Sequence, residues 1–185
     1  MGSLMAALVA ALLIRVTDPT AGYAARAADR SGKPGAVLAG SLAAIFVTHT
    51  IAAVIGFLLG PHMTPNPKRL FVALALLVAA SGAVWPGKAL DPGEARRPFW
   101  NTAGRLTVAG WSGRSEFVTL ALGVSGIAAL AGIGGFVGSA VVLGFAVMGG
   151  DAVWRTLPHR VLGMAIGAVL AIAGCWLAFS ALRLI

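Results

Sequence analysis

Acidic residues are scarce in this sequence. Only six Asp and Glu occur among 185 residues, and all charged residues together make up 11%. A soluble domain carries about 25%. So little polar surface cannot coat a water-soluble globule. A bilayer needs no such coat, because lipid asks only that backbone polar groups be satisfied internally. Cysteine is nearly absent too. The single Cys175 lies in an apolar run, which excludes an intrachain disulfide and a cysteine-based zinc cluster and leaves a small hydrophobe. The signatures of soluble enzymes are missing as well. There is no phosphate-binding Walker loop, no G-x-S-x-G elbow, no H-E-x-x-H helix and no paired-carboxylate arrangement. With no nucleophile–base constellation in view, neither an enzyme nor a cofactor is expected.

Basic residues are present, 14 Lys and Arg for a formal net charge of +8. They do not form one run interleaved with aromatics, as a nucleic-acid footprint requires. They stand singly or in pairs between apolar stretches, as in the loops of membrane proteins. Hydrophobic residues make up 58%, and the mean hydropathy is +0.90. The lipid bilayer is therefore the expected surrounding, and nucleic acid is not an expected partner.

A spanning helix takes about 20 mostly apolar residues. Six segments approach this: Leu4–Ala28, Ala36–Gly60, Leu70–Trp85, Leu106–Val124, Ile127–Gly149 and Val161–Leu184. The first resembles a signal peptide but lacks a basic stretch before its apolar core, so it reads as a retained helix. Residues 17–33, at and beyond its C-terminal end, are small and polar. Prolines 61, 65 and 67 read as breakers between the second and third spans. The longest connection divides the chain into residues 1–86, a linker 87–105 and residues 106–185, with three spans on each side. Trp85, Trp100 and Trp154 fall at expected span ends, where aromatic belts form. Nine basic residues lie in odd connections: Arg26, Arg30, Lys33, Lys88, Arg96, Arg97, Arg105, Arg155 and Arg160. Three, Lys68, Arg69 and Arg183, lie in even connections or at the end. The positive-inside rule then puts the odd connections in the cytoplasm and both termini outside. Gly134 and Gly138, like Gly163 and Gly167, have the small-xxx-small spacing that lets helix backbones approach in lipid.

Ionisable residues inside spans cost roughly 2.5–3.5 kcal/mol each at the bilayer centre and mark functional sites. Two clusters qualify. The first is Arg15-Val16-Thr17-Asp18-Pro19-Thr20. Arg15 and Asp18 would share one helix face, and Pro19 would free the Arg15 carbonyl, as in the interrupted helices of transporter sites. The opposing reading ends the span at Arg15, which would snorkel. The second cluster runs from Gly110 to Glu116 and holds Ser112, Arg114 and Ser115. Arg114 and Glu116 diverge around a helix and need partners elsewhere, while Ser112 and Ser115 can bond a preceding carbonyl or reach across. His49, between Thr48 and Thr50, reads as a proton relay or a hydrogen-bonded structural residue. Asp151 reads as a solvated end residue.

Three spans, a charged connection and three more spans, with a short acidic motif in spans one and four, resemble the GDT family. These are Golgi-type and bacterial manganese/calcium transporters of the LysE superfamily. The family motif Glu-x-Gly-Asp-Lys/Arg-Thr/Ser would fall on Arg15–Thr20 and again on Gly110–Ser115, followed by Glu116. Residues 141–182 resemble the family's last hairpin. The resemblance implies an all-α membrane protein of six transmembrane helices in two inverted three-helix repeats, placed in a bacterial inner membrane. It also implies exchange of a divalent cation against protons. Its site residues would be Arg15, Asp18, Thr20, Arg114, Ser115 and Glu116, and its metal ligands Asp18 and Glu116; His49 joins the transport-site candidates from the residue reading alone. Yet the motif glutamates are Arg15 and Gly110 here, and the second motif aspartate is Gly113. Hard divalent cations want several carboxylate oxygens, and two arginines repel them. An altered, even anionic, substrate is thus one expectation. A transport-inactive subunit or scaffold in a homo- or hetero-oligomer is the other. If spans one and four meet near the midplane, Asp18 should pair with Arg114 and Arg15 with Glu116, in competition with a local Arg15–Asp18 pair.

Overall fold

The computed structural model describes residues 2–85, 87, 89–93 and 97–182. Lys88, Arg96 and Arg183 of the basic tally fall outside them. Among the described residues every regular element is helical. The order is α1 (Gly2–Val16), α2 (Pro19–Ser31), α3 (Pro34–Leu59), a 3₁₀ turn (Gly60–His62), α4 (Pro65–Val84), α5 (Pro98–Trp111), α6 (Arg114–Ser125), α7 (Ala128–Thr156) and α8 (His159–Ala181). Among the described residues four helices are long and apolar enough to cross a membrane: α3 with its 3₁₀ extension, α4, α7 and α8. The α1–α2 pair makes a fifth if counted as one span bent by 63°. This is the architecture of an all-α integral membrane protein.

Proline starts helices here more often than it ends them. Pro19, Pro34, Pro65 and Pro98 each occupy the first turn of a helix, where the missing N–H has no partner to lose. Pro65 and Pro67 therefore belong to α4 and not to a loop, and the linker expected to reach Arg105 turns helical at Pro98. The expected fourth span is also corrected: it is two helices, α5 and α6, separated at Ser112-Gly113. Gly113 is extended, with φ −72° and ψ 137°, and the glycine and serine around it are poor helix formers.

Two apolar clusters hold the bundle. One joins α2, α3 and α7 through Tyr23, Val37 and Leu143; the other joins α1, α4, α6 and α8 through Ile14, Leu76, Val118 and Leu170. Val16, just before the first break, packs against both. Helices α1 and α2 lie on α7, α5 and α6 lie on α3, and α4 lies on α8. The small-residue spacings serve these contacts. A Cβ at Gly134 would overlap the Leu4 carbonyl of α1, and one at Gly138 the Leu8 carbonyl. Gly163 meets the Ala83 carbonyl of α4 in the same way. Backbones approach because nothing projects between them. Phe57, Trp85, Trp100, Phe145, Ile172 and Trp176 are exposed, as a lipid-facing surface allows. Cys175 is exposed on α8.

Helix α7 breaks at Gly150, directly after the expected span end at Gly149, and restarts as far as Thr156. Gly150 leaves helical geometry at φ 70°, a positive-φ backbone that suits glycine. The Asp29 carboxylate accepts from the Asp151 N–H at 2.7 Å, capping the renewed turn. Asp151 is thus no solvated end residue: its side chain is 17% exposed and bonded to Arg155 at 2.6 Å. The linker is held by three arginines. Arg30 pairs with Asp91 at 2.7 Å, Arg26 donates to the Leu90 carbonyl at 3.0 Å, and Arg105 donates to the Asp91 carbonyl. The Gly93 N–H and then Arg30 hold the Asp91 carboxyl below its ordinary range.

Candidate functional site

The two helix breaks meet in the middle of the bundle. Arg15 lies in the last turn of α1 and is 2% exposed. It does not snorkel. Its Nη2 donates to Glu116 Oε1 at 2.6 Å and to Ser115 Oγ at 2.7 Å. Nε and Nη2 each lie 3.3 Å from Ser139 Oγ, and Nη1 donates to Thr20 Oγ1 at 3.1 Å. Glu116 sits in the first turn of α6. Its Oε1 also accepts from Thr48 at 3.3 Å, and its Oε2 accepts from Ser115 at 2.8 Å. A charge buried this deeply needs both a counter-charge and filled hydrogen-bond positions, and this pair has both.

Asp18 caps α2. Its Oδ1 accepts from the Thr20 N–H at 2.9 Å and from Thr20 Oγ1 at 2.5 Å, which anchors the restarted helix. Its Oδ2 faces Arg114 Nη2 at 3.6 Å. Arg114 also reaches the Thr17 carbonyl at 3.4 Å. Its Nη1 is buried with no hydrogen-bond partner among the described residues. The guanidinium passes over Gly82 of α4, where any Cβ would overlap Arg114 Cδ.

Both cross-pairs expected from the sequence are therefore present. The local Arg15–Asp18 pair is replaced by a relay, Arg15 to Thr20 to Asp18. The break itself differs from expectation in one respect. The Arg15 carbonyl is not free, because the Asp18 N–H bonds it at 3.2 Å. A tightened turn absorbs the acceptor that Pro19 cannot serve. Ser112 stays local, 3.5 Å from the Ala109 carbonyl. His49 is 1% exposed, and its Nε2 lies 2.9 Å from Ser139 Oγ. It thus joins the same network as Arg15.

Ser139 is the central member that sequence reading missed. It lies 124 residues from Arg15, in a helix whose small residues drew attention only for packing. The available signal was its being a lone hydroxyl in an apolar span. The expected metal ligands, Asp18 and Glu116, are each turned to an arginine. Among the described residues no group of three His, Cys, Asp or Glu could hold a metal ion. A hard divalent cation takes six to eight oxygens, so this donor set does not fit one.

Two cavities flank the network. One, of about 350 Å³, is lined by Thr48, Ile55, Gly113, Arg114, Glu116 and Leu120 among others. The second, of about 620 Å³, is lined by Thr17, Asp18, Arg26, Trp154, His159 and Arg160 among others. No protein-family model, curated protein or solved structure matches the chain.

Proposed function

We propose that the chain is a secondary transporter whose substrate path runs through the meeting point of the two helix breaks. The observation that carries this reading is the crossed pair of ion pairs, Arg15–Glu116 and Asp18–Arg114, one partner of each coming from each break. Interrupted helices with buried charges near the midplane are how transporters build sites. Helices α1–α4 and α5–α8 support two repeats: each half opens with a broken helix, and each broken helix packs on a long helix of the other half. On this reading α1–α2 and α5–α6 each count as one span, giving six, in two inverted repeats. The resemblance to manganese/calcium–proton exchangers supports transport, and the arginines support an altered substrate. A second reading has its own support. Both buried carboxylates are engaged by arginine, as in a transport-inactive subunit or scaffold of a homo- or hetero-oligomer.

Reconstitution decides between them. Proteoliposomes of the purified chain should move a solute, with manganese, calcium and proton readouts run in parallel, and manganese flux should be weak or nil. Manganese transport abolished by Asp18→Asn would restore the cation reading. The absence of any flux, with another membrane protein co-purifying in fixed ratio, would favour the scaffold.

The proposed orientation, in a bacterial inner membrane with both termini outside, has its own test. In a Cys175→Ser background, Arg97→Cys should be labelled only from the cytoplasmic side and Lys68→Cys only from the other. Labelling of position 97 in intact cells by an impermeant reagent would reverse the assignment.

A further inference from the structure

The two cavities differ in charge. Among the described residues the larger has Asp18 as its sole acidic lining residue but is also lined by Arg26, Arg155, His159 and Arg160. Asp151 neutralises Arg155 at 2.6 Å. Arg26 spends one nitrogen on the Leu90 carbonyl. Arg160 makes no hydrogen bond or ion pair among the described residues. Asp18 is committed to Thr20 and Arg114. The basin therefore keeps two positive charges in excess, on Arg26 and Arg160, and no described carboxylate free to receive a cation. Guanidinium forks match carboxylate and phosphate oxygens.

We infer that this basin receives a small oxyanion, through a phosphate or carboxylate group, and that such an anion is the substrate class of the transport path. The substrate assignment rests on the transporter reading; the binding site does not. The Asp18–Arg114 pair stands between the two cavities, since Asp18 lines the basin and Arg114 lines the smaller one. The pair is the looser of the two, 3.6 Å against 2.6 Å for Arg15–Glu116. Among the described residues Arg114 has a buried Nη1 without an acceptor, whereas each Arg15 nitrogen has one. Asp18 keeps both of its bonds from Thr20 when Arg114 turns away. An oxyanion arriving from the basin can thus replace Asp18 at Arg114 by exchange of ion pairs, and passing the pair opens the second cavity. Arg15, Ser139 and Glu116 remain as the fixed frame.

A phosphate group reaches such a basin from solution or from a lipid headgroup, and the experiment separates the two. The full chain is placed in nanodiscs of phosphatidylcholine alone and titrated calorimetrically with inorganic phosphate and with succinate. A second set of discs contains phosphatidylglycerol. At least one soluble anion should bind in the zwitterionic discs. The Arg26→Gln/Arg160→Gln double variant should weaken it by about tenfold or more, an electrostatic loss of two charge-assisted partners. Arg160→Gln alone, at an exposed position, should weaken it less and leave thermal unfolding unchanged. Asp18→Asn should tighten it by removing the competitor for Arg114. If neither anion binds, or if a response appears only when phosphatidylglycerol is present, the soluble-oxyanion assignment falls. Manganese flux that persists in the double variant without anion binding overturns it and leaves the transporter reading intact. Anion binding that is lost in the double variant, in a chain that moves no solute, upholds the site and removes the transporter reading.

Discussion

Glu116→Gln should lower the stability of the purified chain in detergent by about 3–5 kcal/mol, the usual cost of stranding one member of a buried ion pair. Arg15 is the stranded charge. It is 2% exposed, and the substituted amide would offer it a neutral oxygen in place of a carboxylate. Ser115 and Thr48 would lose an ionised acceptor at the same time. Asp18→Asn should cost less, because its arginine is 3.6 Å away and 14% exposed. Removing both charges, as in Arg15→Met/Glu116→Leu, should recover much of the loss, since apolar side chains of similar volume often replace a buried pair at little cost. Denaturant or thermal unfolding of the parent and these variants measures this. A Glu116→Gln chain as stable as the parent would show that the pair is solvated and that the network does not frame the bundle.

Gly138→Ala should destabilise by about 1–3 kcal/mol through overpacking, and Gly138→Leu should prevent assembly of a folded bundle. The added Cβ meets the Leu8 carbonyl, with the Leu12 nitrogen 3.1 Å away. Both are backbone atoms of α1, so no rotamer change relieves the clash and α1 must shift as a body. Ser139 is the next residue, and it holds Arg15 at 3.3 Å. The substitution therefore also loosens the charge network. Gly144 on the same helix gives the control. A Cβ there meets nothing within 4 Å, so Gly144→Ala should be neutral or stabilising by up to about 1 kcal/mol from helix propensity. Folded yield after size-exclusion chromatography and unfolding midpoints report both effects. Equal behaviour of the two alanine variants would mean that α1 and α7 are not packed backbone to backbone.

Much of the site was legible residue by residue. Arg15, Asp18, Arg114 and Glu116 stand out because charge is rare in this chain and expensive in apolar surroundings. Their pairing across the halves follows from that expense, because few counter-charges exist. What misled were residues whose role depends on neighbours far along the chain. Asp151 looked like an end residue because no sequence rule ties it to Asp29, 122 positions away. The prolines near residue 65 looked like breakers because a proline at a first helical turn and one in a loop are the same letter.

Composition alone determined the solvent and the element type: apolar runs with few charges leave the backbone no partner but itself, and only helices of this length satisfy it locally. Composition also determined that buried arginines and buried acids would seek each other. Only the tertiary structure decided which hydroxyls complete the network, and that each Arg15 nitrogen finds an acceptor while Arg114 Nη1, among the described residues, does not. Those outcomes depend on distances between α1, α6 and α7, set by glycines that let backbones touch, and no local spacing encodes them.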